Sequence, residues 1–167
     1  SGTALAEKTV TLTFVGDCTL GGEDWLINRE GSFHDYARKE GYTYFFEKMR
    51  DFFSEDDLTI INFEGVLKDD SRDAVNKTYC FRGPTDFARI LPLSSIEAVN
   101  LDNNHTLDYG KRGKTSTVEA LTGAGVHVFD ELTPYIFEKD GIKIAFFGMQ
   151  RVHFFSLREQ LKEQIRI

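Results

Sequence analysis

The chain has 167 residues, with 27 acidic against 20 basic side chains, a net charge of −7 and a pI near 5.1. A protein that grips a phosphate backbone by counterion release carries a basic excess, and none is present in total or in any short stretch, so nucleic acid is not an expected partner. With 41% hydrophobic residues, 15 Phe and only 3 Pro, the composition excludes the disordered class, and the length predicts a single domain over 1–167.

Taken in chain order, Ser1 to Glu7 has neither the basic nor the apolar region of an intact signal peptide, and Ala4-Leu5-Ala6 reads as a processing remnant or a small-residue tail. Residues 9–15 alternate Val10, Leu12 and Phe14 with threonines, the period of a half-buried strand, and stop at Gly16-Asp17. Phe45, Phe46, Met49, Phe52 and Phe53 form one apolar stripe and predict a helix over 42–54. Residues 58–63 predict a buried strand, 86–91 a short helix after Gly83-Pro84, and 96–101 a third strand. The stretch 69–80 between them reads as a loop. A helix over 113–122 ends at Gly123 and Gly125, and a short strand follows over 126–129. Asp140-Gly141 between 135–138 and 142–148 signals a hairpin, and Leu157, Leu161 and Ile165 predict a surface helix over 156–167. The densest apolar run, Ile144 to Met149, is far shorter than the ~20 residues of a membrane span.

Alternating strands and helices predict an α/β fold, a largely parallel sheet with helices on both faces. Cys18 and Cys80 are expected to be buried small hydrophobes, His127 a packing residue, and His34 and His153 surface or loop residues.

The unusual polar residues gather at strand ends: Gly16-Asp17 after the first, Asn62-Phe63-Glu64-Gly65 after the second, and Asn103 to Gly110 after the third. Parallel strands deliver their carboxyl ends to one edge, where ligands bind in open α/β sheets. Asn62 and Glu64, two apart in an extended chain, are expected on the same side. Singly, Asp17 and Asn104 read as helix caps or turn formers and Glu64 as a solvated acid. Together, an Asp, a Glu, an Asn and a His at one edge are suited to a divalent metal such as Mn, Fe or Zn.

The segments GDCTLGG (16–22), NFEGVL (62–67), YCFRGP (79–84) and NNHTLDYG (103–110), in this order and spacing, resemble the bacterial capsule-synthesis CapA family. That family is associated with poly-γ-glutamate, and its domain is similar to calcineurin-like metallophosphoesterases. The resemblance implies a metallophosphoesterase-like α/β sandwich in which Asp17, Glu64 and Asn104 are metal ligands. It also implies that His105 acts as a proton donor or phosphate contact, with Asp108 fixing its tautomer. Arg82 suits carboxylate or phosphate recognition through its planar fork, or else a salt bridge that anchors the 69–80 loop.

Two departures stand out. Asp102 occupies a position where the family often has a small residue, and the resemblance implies further strands after Gly148 with HWG and HxH motifs that this chain lacks before Ile167. The chain is therefore expected to be the N-terminal part of the family domain. The expected function is extracytoplasmic capsule or poly-γ-glutamate biosynthesis, handling an anionic polymer. The alternatives are a metal-dependent phosphoesterase and a non-enzymatic polymer- or partner-binding module. The acidic net charge opposes a polyanion unless Arg82 and the Lys111-Arg112-Lys114 group make a local basic rim. A homo-oligomer with Phe146, Phe147, Phe154 or Phe155 near the contact is expected, because uncovered apolar sheet surface seeks a partner.

Overall fold

The computed structural model describes residues 8–150 and, beyond them, 158, 159, 162, 163 and 165. The β-branched run after Val10 forms β1 (Leu12–Cys18), and a short 3-10 turn follows at Asp24–Leu26. Helix α1 (Phe33–Glu40) starts at a reciprocal cap. Asp35 N donates to Ser32 Oγ at 3.1 Å, and Asp35 Oδ2 accepts from Gly31 N at 2.9 Å. The Gly31 amide and then Lys39 hold the Asp35 carboxyl below its ordinary range.

The stretch expected as one helix over 42–54 is divided into a 3-10 turn (Tyr42–Phe46) and a short α2 (Arg50–Ser54). Aromatic stacking explains the break. Phe45 stacks on Phe33 at 3.9 Å and Tyr44 on Tyr36 at 5.5 Å, which draws the segment onto α1, and Tyr, Thr and Phe add little helix propensity. Of the predicted stripe, only Phe53 is buried, while Met49 and Phe52 are exposed.

Next come β2 (Leu58–Phe63), β3 (Val66–Leu67), the loop expected over 69–80, and β4 (Arg82–Gly83). The helix expected over 86–91 is a 3-10 turn (Thr85–Arg89) running into α3 (Ile90–Leu93). Then follow β5 (Ala98–Asn100), α4 (Gly110–Gly123), β6 (His127–Phe129), and the hairpin of β7 (Tyr135–Lys139) and β8 (Ile142–Phe146). Positive φ at both Asp140 (52°) and Gly141 (80°) matches the mirror-image turn that suits a twisted hairpin. The tail helix expected over 156–167 falls largely outside the described residues, as do His153, Phe154 and Phe155.

Strands β1, β2, β5 and β6 form a four-stranded sheet in that order, every pairing parallel. The α/β class and the parallel sheet therefore stand as expected. On one face Ile61, Phe63, Val99 and Leu101 pack against Ala37, Phe53, Ile90, Leu91 and Leu121, so the helices share that face. On the other, Leu58, Ile60, Ala98 and Phe129 meet Phe146 with Tyr135, Phe137 and Ile144, so among the described residues this face carries the β7–β8 hairpin in place of the helices expected on both faces. Phe146, expected near an intermolecular contact, is buried here, and the exposed ring beside it is Phe14 at 66%.

Three further expectations are corrected. His34 lies in α1 and is buried, packed at 5.1 Å from Phe87, because the cap at Ser32 turns it toward the core. Both cysteines are only half-buried free thiols, and His127 is exposed although its ring stacks on Tyr135 at 4.2 Å.

Candidate functional site

The parallel sheet brings Asp17, Asn62 and Asn100 side by side, since Asp17 pairs with Asn62 and Asn62 with Asn100 in the strand register. An irregularity in β1 between Phe14 and Asp17 re-aims the end of that strand, a common device beside sites. Asn62 Nδ2 donates to Asp17 Oδ1 at 2.6 Å, while Asn62 Oδ1 accepts from Asn100 Nδ2 at 2.9 Å and Asn103 Nδ2 at 3.1 Å. Burial, with Asp17 beside it, pushes the Cys18 thiol up to about 11, which keeps it protonated at neutral pH.

Asn103 is the link to the second cluster. Its Nδ2 also donates to the Phe63 carbonyl at 2.8 Å, and its Oδ1 accepts from His105 N at 3.0 Å. The turn after β5 is thereby pinned to the end of β2. Asn104, its neighbour, is exposed and offers its backbone carbonyl to Lys77 Nζ at 2.8 Å. Both asparagines sit in the same motif, and only the fold distinguishes the one that wires the site together from the one that faces outward.

His105 is buried between two acids. Its Nδ1 lies 2.7 Å from Asp108 Oδ2, its Nε2 lies 3.5 Å from Glu64 Oε1, and its ring stacks on Phe81 at 4.4 Å. Asn62 and Glu64 thus engage different partners: β2 ends at Phe63, Glu64 N still donates to the Cys18 carbonyl at 3.0 Å, and the chain bends at Gly65. Asp108, with a side chain only 1% exposed, also accepts from Phe81 N at 2.8 Å and from Lys77 Nζ at 2.8 Å. Lys77 Nζ stands 3.2 Å from His105 Nδ1 as well. Two donors do not bond each other, so the shorter contact decides: Nδ1 carries the proton and gives it to Asp108.

Arg82 takes the anchoring role of its two readings, on a different segment from the 69–80 loop. It is buried, its Nε and Nη2 donate to Asp24 Oδ1 at 2.9 and 2.7 Å, and its Nη1 donates to the Lys68 carbonyl at 2.7 Å. Tyr109 Oη closes the group on Asp24 Oδ2 at 2.9 Å. The backbones interlock here too: a Cβ on Gly21 would sit 2.3 Å from the Arg82 carbonyl oxygen, and one on Gly83 2.1 Å from that of Leu20. The glycines of TLGG and FRGP are what let these two motifs touch.

Of the basic rim considered from the sequence, Arg82 and Lys114 are each engaged by an acid. Lys114 pairs with Asp130 at 2.6 Å, and burial alone would raise the Asp130 carboxyl, but Lys114 and the amides of Leu132 and Thr133 hold it below its ordinary range. Asp102, also buried, accepts from Gln150 N at 3.1 Å and so ties the segment after β8 to the site edge.

The donor types at this edge suit a divalent metal, but their grouping does not. Asp17 is engaged by Asn62, Glu64 faces His105, and among the described residues no group of three or more His, Cys, Asp or Glu is placed to hold an ion. Sequence reasoning missed Lys77, Phe81 and Asn103 as parts of the site. Phe81 and Asn103 lay inside the quoted motifs, whereas nothing local marks Lys77, whose partner Asp108 is 31 residues away.

Among the described residues no helix is long and apolar enough to cross a membrane. Over residues 11–165 the chain matches the family model described as bacterial capsule synthesis protein PGA_cap. It is 39% identical over 70 residues to a polyglutamine synthesis accessory protein of Mycobacterium tuberculosis, covering 42% of this chain and 18% of that protein. It is 25% identical over 153 residues to the capsule biosynthesis protein CapA of Bacillus anthracis, covering 84% of this chain and 34% of that protein. The matched region thus spans about a fifth to a third of these relatives' lengths. Ordered motifs meeting at one sheet edge and a match over nearly the whole chain lead to one conclusion: the chain belongs to the bacterial capsule synthesis protein family, PGA_cap.

Proposed function

We propose that this chain works in the biosynthesis of a bacterial capsule polymer of the poly-γ-glutamate kind, at the cell surface, and that its cleft contributes proton transfer at His105. The observation that supports this reading is the His105 ring, buried between Glu64 and Asp108 with Nδ1 committed to Asp108 and Nε2 turned toward Glu64. Such a ring accepts or donates a proton at Nε2. A cleft that gripped a polyanion by charge alone is a poorer reading, because Arg82 is buried on Asp24 and Lys114 is paired with Asp130. The scattered donors do not fit a closed metal centre, so binding of Mn, Fe or Zn by Asp17, Glu64 and Asn104 is proposed to be weak, and no step is routed through a metal.

The test supplies the purified chain with poly-γ-glutamate and, separately, with a phosphodiester reporter, with and without Mn²⁺, and follows polymer length and reporter release. His105→Ala is expected to lower whichever rate is present by about 10²–10⁴-fold, the usual contribution of a positioned acid or base. A rate indifferent to His105→Ala overturns the reading. Self-association through the face bearing Phe14 is proposed as well, and sedimentation of Phe14→Ser against the parent chain tests it.

A further inference from the structure

The loop between β3 and β4 is exposed along residues 71–79, yet the Lys77 side chain is only 32% exposed. Its ammonium bridges the buried Asp108 carboxylate, through Oδ1, and the carbonyl of Asn104, and stands 3.2 Å from His105 Nδ1. The other carboxylate oxygen, Oδ2, is shared by Phe81 N and His105 Nδ1. A carboxylate with both oxygens held cannot turn about its own axis, so Oδ2 stays opposite Nδ1.

We propose that Lys77 is the positioning residue of this site, its ammonium locking the Asp108 carboxylate and the Asn104 turn so that His105 keeps a proton on Nδ1 and turns Nε2 toward Glu64. The proposal rests on reading the Glu64–His105 edge as the working cleft. Lys77 acts through Asp108 and touches no reacting atom. Its removal frees Oδ1, lets the carboxylate divide itself between Phe81 N and the imidazole, and takes the donor from the turn that carries His105. The proton then divides between the two ring nitrogens. Arginine, a cation with donors of similar reach, is expected to substitute.

The experiment labels the histidines of the whole chain with ¹⁵N and reads the ring nitrogen shifts at a pH where the imidazole is neutral, without substrate. The parent chain is expected to give a protonated Nδ1 and a bare Nε2 for His105, Lys77→Met a tautomer mixture, and Lys77→Arg the parent pattern again. If Lys77→Met gives no folded amide spectrum, Lys77→Gln is read instead. An unchanged ring pattern in the neutral variants, even with faster amide exchange along 71–79, overturns the proposal and leaves Lys77 a mere tether. Because no turnover is needed, the outcomes separate: a tautomer change in a chain whose assays ignore His105→Ala supports the role of Lys77 and overturns the functional reading alone.

Discussion

Lys77 and Arg82 stand five residues apart on one stretch of chain, and each sets a cation against an aspartate. The two pairs are built in opposite senses. In the Arg82 pair the cation is the buried member, 9% exposed, and Asp24 keeps 36% of its side chain in solvent. In the Lys77 pair the acid is buried, 1% exposed, and the cation keeps 32%. The Arg82 fork, its backbone interlock with Gly22 and the Tyr109 hydroxyl clamp the first loop onto β4. Burial, then the Asp24 contact, pushes the Tyr109 hydroxyl far up, so that it stays a donor. The Lys77 pair instead bears on His105. In each pair the buried member decides the cost of losing its partner, because a stranded buried charge costs more than an exposed one returned to water.

Asp24→Ala tests that rule most severely. It strands the buried guanidinium and leaves the Tyr109 hydroxyl without its acceptor, and is expected to cost about 3 kcal/mol, near the low end for broken buried pairs because Asp24 is partly solvated. Arg82→Met, which returns Asp24 to water, is expected to cost less, about 1–2 kcal/mol. Urea denaturation of the two variants side by side gives the order directly, and the reverse order would break the comparison. Neither substitution is expected to alter the His105 ring signals.

Lys77→Met is expected to cost about 1 kcal/mol, since Asp108 keeps the donors on Phe81 and His105. It differs from the variants of the Arg82–Asp24 pair by changing the ring of His105, and it is expected to move the urea midpoint less than Asp24→Ala does. Both variants strand the buried member of their pair, so equal costs would mean that the donors left on Asp108 do not offset the loss of Lys77.

The smallest effect concerns His34, which faces Arg82, Arg38 and Asp24 and has a buried Nε2 without a hydrogen-bond partner among the described residues. Burial, then the two arginines, lowers its pKa against the opposing pull of Asp24. Above about pH 6.5 the ring is neutral in both states and stability is flat in this group. Below that, the unfolded chain takes up a proton that the folded one does not, so stability falls with pH, by at most about 1.4 kcal/mol per unit for a single group. Stability curves between pH 7 and 5.5 are expected to lose this slope in His34→Phe. A slope that persists undiminished would assign it to other groups.

The parallel sheet, the Asp140-Gly141 hairpin and α4 were legible from the residues because period, turn chemistry and terminal glycines act within a few positions of themselves. The gathering of Asp17, Glu64 and the 103–110 segment at one edge followed from the same source, since parallel strands leave no other arrangement. Helix α1 was legible in principle through Ser32 and Asp35, a capping pair three residues apart. The rest depended on which distant segments meet. The break in 42–54 comes from rings on α1, and the burial of His34 from its packing on Phe87. Asn103 rather than Asn104 bonds Asn62 because of where the turn after β5 comes to rest. Arg82 finds Asp24 across 58 residues, and Lys77 finds Asp108 across 31. Backbone conformation answers to neighbours in the chain, whereas a charged side chain answers to whatever the folded backbone brings within about 3 Å.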